Sequence, residues 1–248
     1  MEVCVDSIES ALNAARGGAS RLEVCSSLAE GGLTPSTGLL RVITDNVMIP
    51  CFAMIRPRGG DFVYSELELQ VMEMDVEMMI QCGALGVVFG CLDTAGEVDV
   101  AGVTRLVTTA KAKLPTVGIT FHRAIDMARD IHRSAKLVTQ MGVDRILTSG
   151  GEKTALEGVQ CIARLVRELP GCLVMPGGGI SQENLEEIQT KTGCKEFHAS
   201  ARGRKESKME FQNTACSMGT SSQEYSVMVT SKEKVASLVR IYKNNFFK

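Results

Sequence analysis

The sequence has no tryptophan, and aromatic residues fill only 4% of its 248 positions. Its core must therefore come from Val, Ile, Leu, Met and Ala. No apolar run approaches the roughly 18 residues of a membrane-spanning helix, so no membrane partner is expected. There is no basic excess either. Lys and Arg number 27 against 29 Asp and Glu, a net charge of −2, so nothing stands ready to neutralise a phosphate backbone and nucleic acid is not an expected partner. The opening MEVCVDSIES lacks the basic n-region and long apolar stretch of a secretory leader. Without export, the nine cysteines are expected to be reduced. They show no C-x-x-C and no zinc-type spacing. A composition of 44% hydrophobic and 23% charged residues excludes a largely disordered chain.

What is present is an alternation. Eight short β-like runs, Glu2–Val5, Arg21–Cys25, Cys51–Ile55, Gly86–Phe89, Val117–Phe121, Arg145–Thr148, Cys172–Met175 and Glu196–Ala199, are separated by helical stretches. Right-handed crossovers then make the sheet parallel. Helix starts are marked by Asp6 with Glu9, Ser65 with Glu68, Thr154 with Glu157 and Thr230 with Glu233, which fit capping boxes, and by Thr34-Pro35. Gly18, Gly83, Gly142 and Gly193 each end a helix and lead into an even-numbered strand, at spacings of 65, 59 and 51 residues. Pro50, Pro115 and Pro170 precede other strands. Four βαβα quarters close most simply as a (β/α)8 TIM barrel, read as a single domain over residues 1–248. An open doubly wound sheet is the runner-up, but Gly-x-Gly-x-x-Gly is missing after the first strand. Arg202 to Val229 is polar and lacks helical period, so it reads as a long loop between strand eight and a last helix from Ser231 to about Phe247. It is either a lid or binding loop at the C-terminal face or a plain surface loop.

Strands of a parallel barrel are buried on both faces and should be apolar, so polar residues on them are informative. Glu2, Glu23, Arg56, Arg58, His122, Arg123, Thr148, Ser149 and His198 break the rule, with Asp126 just beyond strand five. Glu23 and His198 stand at the same offset from their glycines, and Cys25 and Ser200 two residues later share their face. This parity predicts a polar cup at the C-terminal mouth, either a site or an ion network stiffening the barrel. Ser149-Gly150-Gly151 and Gly177-Gly178-Gly179 follow strands six and seven. Free N–H groups in such turns bind anions, unless the glycines serve only tight turns. Arg56 and Arg58, with Gly177, Gly178 and Gly179, are thus candidates for an anion site. His122 or His198, partnered by Glu23, would then be the catalytic acid and base of an enzyme acting on a small anionic or phosphorylated metabolite.

Cys4 and Cys25 lie on sequential strands about 4.8 Å apart, so two inward thiols reach one ion. Thiolates are soft and suit Cu(I), although reduced Cys is also an ordinary core residue. Leu67, Val71, Met74, Met78 and Cys82 follow i, i+4, i+7, i+11 spacing and predict a core stripe on helix three. The thirteen methionines, Met72-x-Met74 and Met78-Met79 among them, are accordingly read as packing rather than metal ligands. His132 is expected on the surface.

Met-Glu-Val-Cys at the start, Arg21-Leu-Glu-Val-Cys25, Glu30-Gly-Gly-Leu-Thr-Pro-Ser36 and Ile55-Arg-Pro-Arg-Gly-Gly-Asp-Phe62 resemble the CutC copper-homeostasis family. Thr120-Phe-His-Arg-Ala124, Leu147-Thr-Ser-Gly150, Phe197-His-Ala-Ser200 and Glu224-Tyr-Ser226 extend the resemblance over essentially the whole chain. One departure is Ile125, where the family commonly has an aromatic residue, which is expected to loosen packing near His122. The resemblance implies a (β/α)8 barrel in the cytoplasm, with the nucleus as a second location, forming homo-oligomers. It also implies a role in copper homeostasis through Cu(I), with Cys4 and Cys25 matching the implied binding residues.

Overall fold

The apolar runs become strands because each is short, flanked by turn residues and covered by helices on its outer side. The computed structural model describes residues 1–213, 215–216 and 224–246. It contains β1 (Glu2–Val5), β2 (Arg21–Val24), β3 (Cys51–Met54), β4 (Gly86–Phe89), β5 (Gly118–Phe121), β6 (Arg145–Thr148), β7 (Leu173–Pro176) and β8 (His198–Ala199). Helices α1 (Ile8–Arg16), α2 (Thr37–Asn46), α3 (Glu66–Gln81), α4 (Val100–Lys113), α5 (Ile131–Gln140), α6 (Val159–Glu168) and α7 (Leu185–Thr192) lie between them, and α8 (Lys232–Phe246) comes last. All eight strands pair in parallel in the order β7-β6-β5-β4-β3-β2-β1-β8. This is the expected (β/α)8 barrel with one departure. No ladder joins β7 to β8, and β8 is only two residues long, so the barrel is nearly rather than fully closed.

The repeat of helix-ending glycines is real. Gly18, Gly83, Gly142 and Gly193 take φ of +91°, +98°, +90° and +69°, left-handed values that stop α1, α3, α5 and α7. The caps are less faithful to the sequence pattern. Ser65 with Glu68 forms a full capping box. Elsewhere Ser7 replaces Asp6, Ser36 replaces Thr34 and Ser231 replaces Thr230 as the capping side chain. Thr154 bonds Glu157 N–H in a turn before α6, which itself starts at Val159. In each neighbouring pair the backbone geometry of the chain entering the helix decides which hydroxyl reaches the orphan N–H.

Two further expectations are overturned. Leu67, Val71, Met74 and Met78 are exposed, at 72%, 47%, 68% and 44%, and only Cys82 of that stripe packs on the core. The buried face of α3 is Leu69, Met72, Val76 and Met79. Both sets have helical spacing, so α3 is apolar on two faces, and the choice was made by the barrel wall. The stretch Arg202 to Val229 is not featureless, because β9 (Arg202–Glu206) pairs antiparallel with β10 (Ser226–Thr230). Its positions 214 and 217–223, and the expected helix end at 247, lie outside the described residues. Ile125 is fully buried in the core. All nine cysteines are free. No helix among the described residues is long and apolar enough to cross a membrane.

Candidate functional site

Strand parity and register set the barrel interior. At its floor Arg21 meets Glu2 and Glu196 at 2.5 Å, and Arg145 also meets Glu196 at 2.5 Å. The guanidinium carbons of Arg21 and Arg145 lie 5.0 and 5.4 Å from the centroid of the Phe52 ring. Paired carboxylates and an aromatic face thus compensate two largely buried cations. Cys25, Phe52, Met54 and Val88 form a small apolar cluster inside the barrel, separate from the main core outside it.

One layer up, Cys4 and Glu23 are register partners on β1 and β2, and His198 comes in from β8. One ligand atom from each of Cys4, Glu23 and His198 lies within 4.8 Å of the others. His198 Nδ1–H donates to Glu2 Oε1 at 2.7 Å, and its Nε2 is 3.7 Å from Glu23 Oε2. The Cys25 thiol donates to Glu23 Oε2 at 3.4 Å. These groups perturb one another. Burial opposes charge on His198, but Glu23, Cys4 and Glu2 hold its pKa well above the ordinary value. Burial also works against the Glu2 carboxylate, yet His198 and Arg21 bring its pKa down. Burial, reinforced by the Glu2 charge, raises Glu23. Burial and the Glu23 charge raise the Cys25 thiol strongly, so it rests as S–H.

Above this layer a cavity of about 960 Å³ opens at the C-terminal mouth. Cys4, Glu23, Arg56, His122 and His198 line it, as do Gly178 and Gly179. Cys25 is fully buried beside it, against Gly32 and Met54. Three buried polar atoms of the wall have no partner among the described residues: Glu23 Oε1, Arg56 Nε and His122 Nε2. The other nitrogens of Arg56 bond the carbonyls of Glu30, Gly32 and Gly60, tying two loops together. His122 Nδ1 accepts the Ala124 N–H at 3.1 Å, which places its proton on Nε2. Burial, then Arg56, lowers its pKa to about 3.

The structure therefore brings together most of the residues singled out from sequence, but not all. Arg58 does not line the cavity and is partnered by Glu68, Asp61 and loop carbonyls. The Ser149-Gly150-Gly151 turn is already filled. Asp126 accepts from the N–H groups of Ser149 and Gly151 and from the Thr148 hydroxyl. His132 is half-buried, with Nδ1 3.2 Å from Glu168 and Nε2 3.8 Å from the Cys161 thiol. The structure gives a role to two residues that the sequence left without one. Phe62 packs against His122 at 5.0 Å and under Arg56 at 4.9 Å, and Asp126 serves as an internal anion. Phe62 lies in the Arg-Pro-Arg-Gly-Gly-Asp-Phe block, the signal that would have found it.

Fold and site together define a (β/α)8-barrel protein with a polar pocket at the C-terminal mouth, the end where barrels of this class carry their sites. A family model described as the CutC family matches residues 1–203. The human copper homeostasis protein cutC homolog is 47% identical over 247 residues, covering 98% of this chain and 89% of that protein. A family protein CutC from Parabacteroides distasonis is 41% identical, covering 96% and 98%. The crystal structure of a copper homeostasis protein CutC from Streptococcus agalactiae superposes with TM-score 0.74 at 30% identity, covering 80% and 97%. This chain belongs to the CutC family. Thiamine phosphate pyrophosphorylase from Pyrococcus furiosus, with TM-score 0.59 and 16% identity over 98% and 95%, shares the fold alone.

Proposed function

We propose that this protein serves copper homeostasis by binding one Cu(I) ion at the barrel mouth, with Cys4 and Cys25 as thiolate ligands. The observation that carries this reading is the Glu23 carboxylate. It accepts the Cys25 thiol proton at 3.4 Å and lies in one cluster with Cys4 and His198. A proton leaving Cys25 thus has an acceptor in place, and soft sulfur donors suit Cu(I) better than the hard carboxylate does. His198 stands beside Cys4 as a nitrogen donor once it gives up its proton. Each thiol that becomes a ligand loses a proton, so affinity rises with pH.

The test is anaerobic Cu(I) titration of wild type, Cys4→Ser, Cys25→Ser and the double variant against a competing chelator. The reading expects one ion in wild type and none retained by the double variant. Unchanged stoichiometry and affinity in the double variant would sink it. We place the protein in the cytoplasm as a homo-oligomer, with the exposed apolar stripe of α3 as the contact between copies.

A second reading is favoured by the unpartnered Glu23 Oε1 and His122 Nε2. It makes the pocket an enzyme site for a small anionic metabolite, with Glu23 and His198 moving a proton and His122 donating a hydrogen bond. Thermal melts of metal-free protein with a panel of phosphorylated metabolites test it. A raised melting temperature supports it, and a flat panel counts against it.

A further inference from the structure

We propose that the side of the cavity formed by Gly178, Gly179 and Ile180, together with Arg123, is a phosphate-binding subsite. It would hold the phosphate of a small phosphomonoester whose organic part extends toward His122 and Arg56. The proposal deepens the second reading above, since it names the chemical class of that metabolite, and it does not depend on copper.

The argument begins with the two glycine turns, which look alike in sequence and differ in the fold. The turn after β6 carries its own anion, the Asp126 carboxylate. The turn after β7 carries none. Its carbonyls are taken: Ala155 N–H donates to Gly178 O at 2.9 Å and the Asn184 amide to Gly179 O at 2.8 Å. Gly177 N–H donates to Thr148 O and Ser181 N–H to Asn184 Oδ1. Between them, the N–H groups of Gly178, Gly179 and Ile180 have no acceptor among the described residues. Gly178 and Gly179 take positive φ, +99° and +73°, within this turn, and successive N–H groups of a turn can make an anion-binding concavity.

Positive charge flanks the turn. A β-carbon on Gly178 would lie 3.3 Å from Arg123 Nη1, so that guanidinium lies against the glycine face. Arg123 uses Nε on Asp126 and Nη2 on Ser149, and Nη1 has no acceptor among the described residues. Arg202 also lines the cavity, and its one carboxylate neighbour, Asp6, is 3.8 Å away.

The second, independent observation lies deeper in the same cavity. His122 and Arg56 are 4% and 6% exposed, and each keeps an N–H without an acceptor among the described residues. Burying such a donor unpaired is costly, and both residues belong to the wall of this cavity. A cavity of about 960 Å³ has room for a phosphate and a body of several further heavy atoms. Gly179 is exposed and Gly178 half-buried, so a ligand has a path to the turn.

The experiment uses the full-length, metal-free protein and inorganic phosphate as the probe. Amide resonances are followed during titration, with sodium chloride at matched ionic strength as the reference. The expected result is saturable shifts at Gly178, Gly179 and Ile180, with affinity reduced about tenfold in Arg123→Gln and less in Arg202→Gln. Equal drift in phosphate and chloride, or saturable shifts confined to other residues, would overturn the proposal. The wild-type map decides the matter even if Arg123→Gln fails to fold. Because metal is absent, the outcome is separate from that of the copper titration. Phosphate binding without turnover would leave this subsite standing and remove the catalytic part of the second reading.

Discussion

The ring of Phe52 occupies the space that a side chain at Gly86 would need. A β-carbon there would come 2.4 to 2.5 Å from three ring carbons, and one on Gly118 would meet the same ring at 2.5 Å. β3, β4 and β5 thus share one large side chain and two absent ones, which is how the barrel floor is filled. Gly86→Ala should therefore destabilise by roughly 1–3 kcal/mol. In combination with Phe52→Leu its cost should fall, because the ring is what it strikes. Urea unfolding of the two single variants and the double checks this, and strict additivity would show that the clash is not the cause.

Asp126 offers a second test. Its carboxylate holds the Ser149 and Gly151 N–H groups and pairs with Arg123 at 2.8 Å. Asp126→Ala should lower stability by about 1–3 kcal/mol, because the buried Ser149 N–H and Thr148 hydroxyl lose their acceptor. Inorganic phosphate should restore part of the loss by entering the vacated turn, while chloride should not. Melting temperatures in the two salts make the comparison. Identical values would mean that the emptied turn does not accept anions.

His122 predicts a pH dependence of defined sign. Its pKa is lowered to about 3 in the folded protein, against 6.5 ordinarily. Between those values the unfolded chain binds the extra proton and the folded one does not, so stability falls as pH falls below 6.5. Above 6.5 the group contributes no slope. At pH 5 the loss assignable to His122 is about 2 kcal/mol. His122→Gln should lose correspondingly less than wild type between pH 7 and pH 5. Equal losses in chemical unfolding at the two pH values would remove His122 as the cause.

The exposed stripe of α3 bears on assembly. Leu67, Val71, Met74 and Met78 present apolar surface with no partner in the monomer's own core. If copies of this chain meet there, Met74→Glu should lower the mass seen by light scattering without changing the melting of the fold. An unchanged mass would move the contact elsewhere.

Much of the barrel was legible in the sequence because its signals are local. Helix-ending glycines need left-handed φ wherever they stand, and Gly18, Gly83, Gly142 and Gly193 all have it. Alternation along a strand puts Glu23 and Cys25 on one face whatever the neighbours do. Cap positions were less legible, since Asp6 and Ser7, or Thr230 and Ser231, carry equivalent side-chain oxygens. The apolar face of α3 was illegible, because Leu67-Val71-Met74-Met78 and Leu69-Met72-Val76-Met79 have the same period.

The sequence by itself determined the strand and helix alternation, the parallel barrel and the polar character of its mouth. These follow from backbone preferences and periodicity, which act over a few residues. Only the tertiary structure decided which polar groups are already satisfied. Asp126 reaches one glycine turn from the loop after β5 and leaves the other empty. Arg58 turns outward to Glu68 while Arg56 turns in. His198, on the last strand of the barrel, joins Cys4 and Glu23 on the first two. Hydrogen-bond satisfaction is a property of atoms brought together in space, and no spacing along the chain encodes it.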